Sequence, residues 1–187
     1  MTPMIKVIAP SGDLSKLKEA ILVVSKYCED KFHFGAIHLN KILFWADFRH
    51  FKKTGKSITE TVYWKLERGP VPKYVKTAEA ELMVEGRFEE VEKPLSPPLK
   101  QKRPTAKGNI NESLFTEYAL QLLRETAETE TRYSASEVEK RSYILPIRLA
   151  QLREEIPLYV IHTTEINQPT QSSQDWVREI VSQYKIA

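Results

Sequence analysis

Ala36-Ile-His-Leu-Asn-Lys-Ile-Leu-Phe-Trp-Ala-Asp-Phe-Arg-His-Phe-Lys-Lys-Thr-Gly55 is the segment on which the fold turns. Successive helical residues lie about 100° apart, and at that spacing Leu39, Ile42, Leu43, Phe44, Trp45, Ala46, Phe48 and Phe51 spread around most of the circumference. A helix that is apolar on nearly every side has to be enclosed by other elements. Residues 36–54 are therefore predicted to form a central helix, stopped by Gly55 at a left-handed C′ position. Asn40, Asp47 and His50 fall in one narrow sector of that helix, and Asp47 and His50 are three apart, within hydrogen-bonding reach. Polar groups on an enclosed helix must be satisfied, so the three are read as a structural polar cluster. A carboxylate orienting an imidazole also has a catalytic look, but no nucleophile can be assigned to the pair.

Upstream, Leu14, Leu17, Ile21, Val24 and Cys28 recur every three or four residues, predicting an amphipathic surface helix over about 13–29, capped by Ser11 or Asp13. Cys28 falls on its buried stripe and is read as a core residue. Downstream the period becomes two. Ile58, Val62, Trp64 and Leu66 share one face of a predicted strand over 58–67, and Thr59, Thr61, Tyr63, Lys65 and Glu67 share the other. Arg68-Gly-Pro-Val-Pro72 is expected to stop that strand, with Pro72 at the start of a helix lasting to about Glu85 and Gly86 ending it.

Residues 87–107 read as a β-hairpin or loose arm, with Pro104 confined to an edge. A helix over about 111–127 buries Leu114, Phe115, Tyr118 and Leu122, and a charged linker follows over 125–132. Ser134-Ala-Ser-Glu137 is a capping box opening a short helix that ends before Pro146. Leu149 and Leu152 continue a further helical turn or two. Ile156 to Ile161 has strand character, and a last helix runs from Ser172 or Ser173 through Trp176 to Tyr184.

The chain has 187 residues, 41% hydrophobic and 28% charged, with six glycines and eleven prolines. That composition excludes disordered and collagen-like classes and fits one domain over 1–187 with its own core. The longest nearly apolar run, Ala20 to Val24, is far too short to cross a bilayer, so no membrane association is expected. The opening residues lack the pattern of a secretory signal, and a single cysteine allows no internal disulfide and no thiolate zinc site. The expectation is a cytoplasmic protein.

No Walker loop, GxGxxG, GxSxG or HExxH is present, and the six glycines stand singly. The four histidines, His33, His38, His50 and His162, lack metal-ligand spacing, so neither metal nor cofactor is expected. A net charge of +3 implies nucleic-acid binding only if it concentrates on one face. The clusters that could provide such a face are Arg49, Lys52, Lys53 and Lys56 at the end of the central helix, where the macrodipole also favours cations, and Lys100, Lys102, Arg103 and Lys107 in the arm.

Leu39 to Ile58, followed by Tyr63-Trp-Lys-Leu-Glu-Arg-Gly-Pro-Val-Pro72, resembles the Panacea domain, also called the SocA-like antitoxin domain and associated with prophage genes. Its signature is a helix of the KLLYFAD type followed by a strand running into GPVP. The clear similarity covers about 34–85. Leu152 to Tyr159 resembles the family's closing element. The signature Asp and His fall on Asp47 and His50, and its Gly-Pro-Val falls on Gly69, Pro70 and Val71. The resemblance implies a non-enzymatic antitoxin that binds a toxin encoded beside it, blocking it or presenting it to a cytoplasmic AAA+ protease.

Such a protein needs an exposed anchor patch. The candidates are Arg68, Gly69, Pro70 and Val71, in a proline-stiffened loop that loses little entropy on binding, with Lys102 and Arg103 of the arm. The fold expected is α+β and mainly α-helical, built around the central helix with a small sheet or hairpin. The alternatives are a DNA-binding regulator using the basic arm and an enzyme using Asp47 and His50.

Overall fold

Helix α2 (Ala36–Thr54) forms where its apolar circumference predicts it, and Gly55 ends it at φ 72° with its N–H returned to the Phe51 carbonyl. Helix α1 (Ser15–Tyr27) precedes it. After α2 come strands β1 (Tyr63–Leu66) and β2 (Gly69–Pro72), helix α3 (Val75–Val84), and strands β3 (Phe88–Ser96) and β4 (Leu99–Ala106). A 3-10 turn over Glu112–Leu114 leads to α4 (Glu117–Glu130), α5 (Ala135–Arg141), α6 (Leu145–Leu149) and the short β5 (Glu155–Ile156). The computed structural model describes residues 14–96 and 99–159. The architecture is mainly helical α+β, with an antiparallel sheet ordered β2-β1-β5 and a separate β3-β4 hairpin.

Helix α2 touches α1, α4, α5, β2 and β4. One side of it joins Leu39, Ile42 and Leu43 to Leu17 and Ile21 of α1, Leu82 of α3 and Leu123 of α4. The other side carries Phe44 and Phe48 into a second cluster with Tyr63, Ile147 and Ile156. Both clusters are nearly closed to solvent, so α2 sits between two cores.

Several local expectations are corrected by long-range packing. Helix α1 buries more than a stripe, because Ala20, Leu22, Val23 and Ser25 join Leu17, Ile21 and Val24 under the cover of α3, α4 and β4. Its N-cap is Leu14, without a side-chain cap; Ser11 and Asp13 lie outside the described residues. Cys28 is buried, as its place on the stripe predicts, and burial pushes its thiol up to about 12. Helix α4 runs through the expected charged linker to Glu130. Thr126 and Ala127 are buried in that stretch, and Glu130 is met by Arg141 at 3.4 Å. The Ser134–Glu137 capping box forms with both its hydrogen bonds.

The GPVP segment is a strand where a loop was expected. Glu67 and Arg68 make a two-residue turn, and Gly69–Pro72 returns antiparallel to β1, pairing Leu66 with Gly69 and Tyr63 with Pro72. Prolines are tolerated because β2 is an edge strand, and they alternate with Gly69 and Val71, which keep their N–H groups. Helix α3 starts after this strand, at Val75 and not at Pro72. Of the two faces of β1, the one with the more polar set is turned inward. Tyr63 is fully buried, whereas Trp64 is half-exposed beneath the Lys73 ammonium, 5.0 Å from its ring. Residues 58–62 do not extend the strand, since Glu60 adopts φ 54° and the preceding amides bond elsewhere. The strand expected over 156–161 is reduced to β5, with residues 160 and 161 outside the described part, as is the final helix with Trp176.

Candidate partner-binding surface

Asp47 is fully buried and its carboxylate serves the loop that leads into β1. Its Oδ1 accepts the backbone N–H groups of Ile58 at 2.7 Å and Thr59 at 3.0 Å. Its Oδ2 accepts the Thr59 hydroxyl and, at 2.8 Å, the Tyr63 hydroxyl. This explains both features of β1: two successive amides that a strand ladder would use are turned to the carboxylate, and Tyr63 must face inward to reach it. Burial raises the Asp47 carboxyl above its ordinary value, and the four donors oppose that shift.

His50 points to a different loop. Its Nδ1–H donates to the Lys56 carbonyl at 2.7 Å, with Thr54 Oγ1 3.1 Å away, and its ring stacks on Tyr118 with centroids 5.5 Å apart. Asp47 and His50 therefore do not form the pair their spacing allowed. Asn40 is part-exposed, and its Oδ1 meets no partner among the described residues. The three polar residues share a sector of α2 without sharing a network.

Lys41 is a residue the sequence reading passed over. It lies between Asn40 and Ile42 on the enclosed helix, which is itself the signal: a lysine there must find an acceptor. Its ammonium donates to the Pro70 carbonyl at 3.0 Å, on the side of β2 turned away from β1. Beside it, Gly69 packs so closely that an added Cβ would lie 2.6 Å from Ser142 Oγ. The Tyr143 hydroxyl donates to the Glu67 carbonyl at the hairpin turn. The β1–β2 hairpin is thus fastened to α2 and to the end of α5.

Burial pushes Lys41 down from 10.5 to about 8, opposed by Glu139. Between those values the unfolded chain holds this proton and the folded chain does not, so the group makes stability rise with pH across that window. Cys28, raised from 9.0 to about 12, contributes a falling slope at alkaline pH, but it is shared by any variant at position 41. Lys41→Met is expected to be as stable as the parent at pH 7 or more stable by up to about 2 kcal/mol, since an apolar isostere replaces a buried charge. That advantage is expected to shrink as pH climbs from 8 to 10.5. Paired urea titrations at pH 7 and pH 10 measure it, and an advantage independent of pH would contradict the depressed lysine.

Of the proposed contact residues, Arg68 is exposed at the hairpin turn, Val71 is half-buried, and Gly69 and Pro70 are buried. Arg103 is also internal: its guanidinium donates to the carbonyls of Glu29 at 3.1 Å and Phe32 at 2.8 Å, pinning the β3–β4 hairpin to the α1–α2 loop. Gln101 adds a bond to the His33 carbonyl at 2.8 Å, so the arm is docked, not loose. Lys102 is exposed but faces Glu90 at 3.8 Å. Lys100 pairs with Glu92 and Lys107 with Glu89, so the arm lysines are answered across the hairpin. The basic face that this run could have provided is thereby offset, because β3 supplies a carboxylate for each of its lysines.

A cleft of about 560 Å³ between α1, α2 and α4 is lined by Tyr27, Arg49, Arg124, Glu125 and Glu128 among others. Its charges are largely engaged: Glu128 meets Lys31 at 2.6 Å and Arg124 meets Glu112 at 3.4 Å. Among the described residues no group of three or more His, Cys, Asp or Glu is placed to hold a metal, and no helix is long and apolar enough to cross a membrane.

No curated protein and no solved structure matches the chain. The family described as antitoxin SocA-like, Panacea domain, does match, over residues 39–145. That stretch is more than half of the 187 residues and runs from the second turn of α2 to the first residue of α6. It includes Lys41, Asp47 and the hairpin they hold, so the matched segment coincides with the seams just described, and the chain belongs to the SocA-like antitoxin, Panacea domain family.

Proposed function

We propose that this chain is a cytoplasmic antitoxin that neutralises a cognate protein toxin by binding it directly. Family membership over 39–145 carries the reading. The disposition of the polar residues supports it. Asp47 is saturated by four donors, and His50 is turned to the Lys56 carbonyl and the Tyr118 ring, so the one pair with a catalytic look is taken up by loops. The signature residues Gly69 and Pro70 are likewise buried, which makes the family motif a scaffold and leaves partner choice to the surface. A DNA-binding role for the arm loses its support, because the lysines it would use face glutamates of β3.

The test is growth of cells that express the adjacent reading frame from an inducible promoter, with and without this protein. Arrest by the neighbour alone, relieved by co-expression, is the expected result. A harmless neighbour, or toxicity that persists while this protein is soluble and abundant, would overturn the proposal. Repeating the assay in a host lacking its AAA+ proteases separates two modes: rescue that persists means blockade, and rescue that vanishes means delivery to the protease.

A further inference from the structure

The connection from α6 to β5 lies along β1 and presents three leucines to solvent. Leu145 and Leu149, one turn apart on α6, are 46% and 75% exposed, and Leu152 in the following turn is 56% exposed. The backbone that carries them is fixed to the hairpin. Lys65 Nζ donates to the Ala150 carbonyl at 2.7 Å, the Arg153 N–H donates to the Lys65 carbonyl at 2.7 Å, and the Lys65 N–H reaches the Glu154 carbonyl at 3.0 Å. Arg153 is held at φ 64° in this turn, so the segment keeps an unfavourable backbone conformation while displaying its neighbours.

The segments joined by these bonds carry three exposed arginines: Arg68 at the β1–β2 turn, Arg148 on α6 and Arg153 beside Leu152 in the chain. Among the described residues no carboxylate pairs with any of them, although ion pairs are frequent elsewhere on the molecule. Four of the other exposed apolar side chains have a different setting. Val84 and Met83 lie on α3, where Lys18 already meets Glu81 and Glu85. Phe32 and Tyr27 lie where Lys31 meets Glu128 and Lys26 meets Glu29. The segments that carry the arginines also carry the exposed carboxylates Glu67, Glu154 and Glu155, of which Glu155 meets Lys73 at 3.6 Å and Glu154 accepts the Gln151 N–H. Exposed leucines accompanied by three unpaired guanidinium groups are a complement for a partner with apolar side chains flanked by carboxylates.

We propose that Leu145, Leu149 and Leu152, with Arg68, Arg148 and Arg153, form the docking surface for an acidic, apolar segment of the toxin. This rests on the antitoxin reading. The leucines supply contact area on a backbone already held in place, so little ordering is required on binding. The arginines select for carboxylates and speed encounter. Arg68 is the one residue of this surface that the sequence had marked as a contact.

The probe is the tagged product of the adjacent reading frame, with affinity measured for the intact chain and its variants. Leu149→Asp/Leu152→Asp and Arg148→Glu/Arg153→Glu are each expected to weaken binding at least tenfold. Arg148→Lys/Arg153→Lys is expected to stay within about threefold of the parent, and Val84→Asp is expected to change nothing. The parent's affinity is expected to fall with added salt, and that of the glutamate variant much less. Urea midpoints equal to the parent's show that the variants are folded. Parental affinity in a folded Leu149→Asp/Leu152→Asp variant would overturn the surface while leaving the antitoxin reading standing. Tighter binding by Arg148→Glu/Arg153→Glu would overturn the acidic chemistry. A parent chain that does not retain the probe at all would overturn both the reading and the surface.

Discussion

Asp47→Ala is expected to lower the unfolding free energy by about 4 kcal/mol, while Asp47→Asn costs about 1. Alanine removes the acceptor for four buried donors at once: two backbone N–H groups and the hydroxyls of Thr59 and Tyr63. The hydroxyls can turn, but the amides of Ile58 and Thr59 cannot, and water has no route to them while Ile58 and Tyr63 stay in their cores. Asparagine keeps Oδ1 for the two amides, and its amide nitrogen can donate to hydroxyls that reverse their role.

The two variants also differ from the parent in pH dependence. The folded Asp47 carboxyl lies above its unfolded value of 3.8, so the folded chain binds this proton more tightly. The contribution of this group to stability is full below 3.8 and declines as pH rises through the folded value. Relative to Asp47→Asn, the parent is therefore expected to lose stability as pH is raised from 3.8. Urea midpoints of the three proteins between pH 4 and pH 8 measure both effects. An alanine variant within 1 kcal/mol of the parent would mean that the loop before β1 finds its donors other partners.

What the sequence disclosed and what it concealed divide along the range of the interactions. The extent of α2, its stop at Gly55 and the Ser134–Glu137 capping box depend on residues within a few positions of one another, and each formed as read. The inward face of β1 depends on Asp47, sixteen residues before Tyr63, and period two alone separates the two faces without showing which of them is buried. The prolines of 70 and 72 argued against a strand, and only the sheet order shows that β2 is an edge where they are tolerated. The candidate site follows the same division. Arg103 reads as a surface cation by composition, yet carbonyls of the α1–α2 loop, some seventy positions away, draw it inside. Leu149 and Leu152 fit a helical apolar pattern that continues for a further turn or two, whereas the helix stops at the first of them. Their exposure arises because α6 ends at Leu149 and the chain turns to follow Lys65.

Gly69→Ala is expected to destabilise the chain by about 3 kcal/mol, roughly three times the effect of Gly55→Ala. Both glycines have positive φ, 88° and 72°, where an L side chain costs about 1–2 kcal/mol. At Gly55 that is the whole effect, since an added Cβ would meet nothing within 4 Å. At Gly69 the Cβ would also lie 2.6 Å from Ser142 Oγ and 3.3 Å from Cε and Nζ of Lys41. Ser142 is buried, and its hydroxyl donates to the Glu139 carbonyl at 2.6 Å, so it has little room to retreat. Displacing Lys41 would stretch its bond to Pro70. Adding Ser142→Ala to Gly69→Ala is expected to recover about 1 kcal/mol beyond the sum of the single effects, and the backbone strain remains. Equal losses for Gly55→Ala and Gly69→Ala would contradict the seat of the hairpin on α2 and α5. Because that seat also holds the β1–β2 turn that carries Arg68, the folded fraction of Gly69→Ala is expected to bind the product of the adjacent reading frame more weakly than the folded parent. That difference in affinity separates the role of Gly69 in placing the surface from its role in stability.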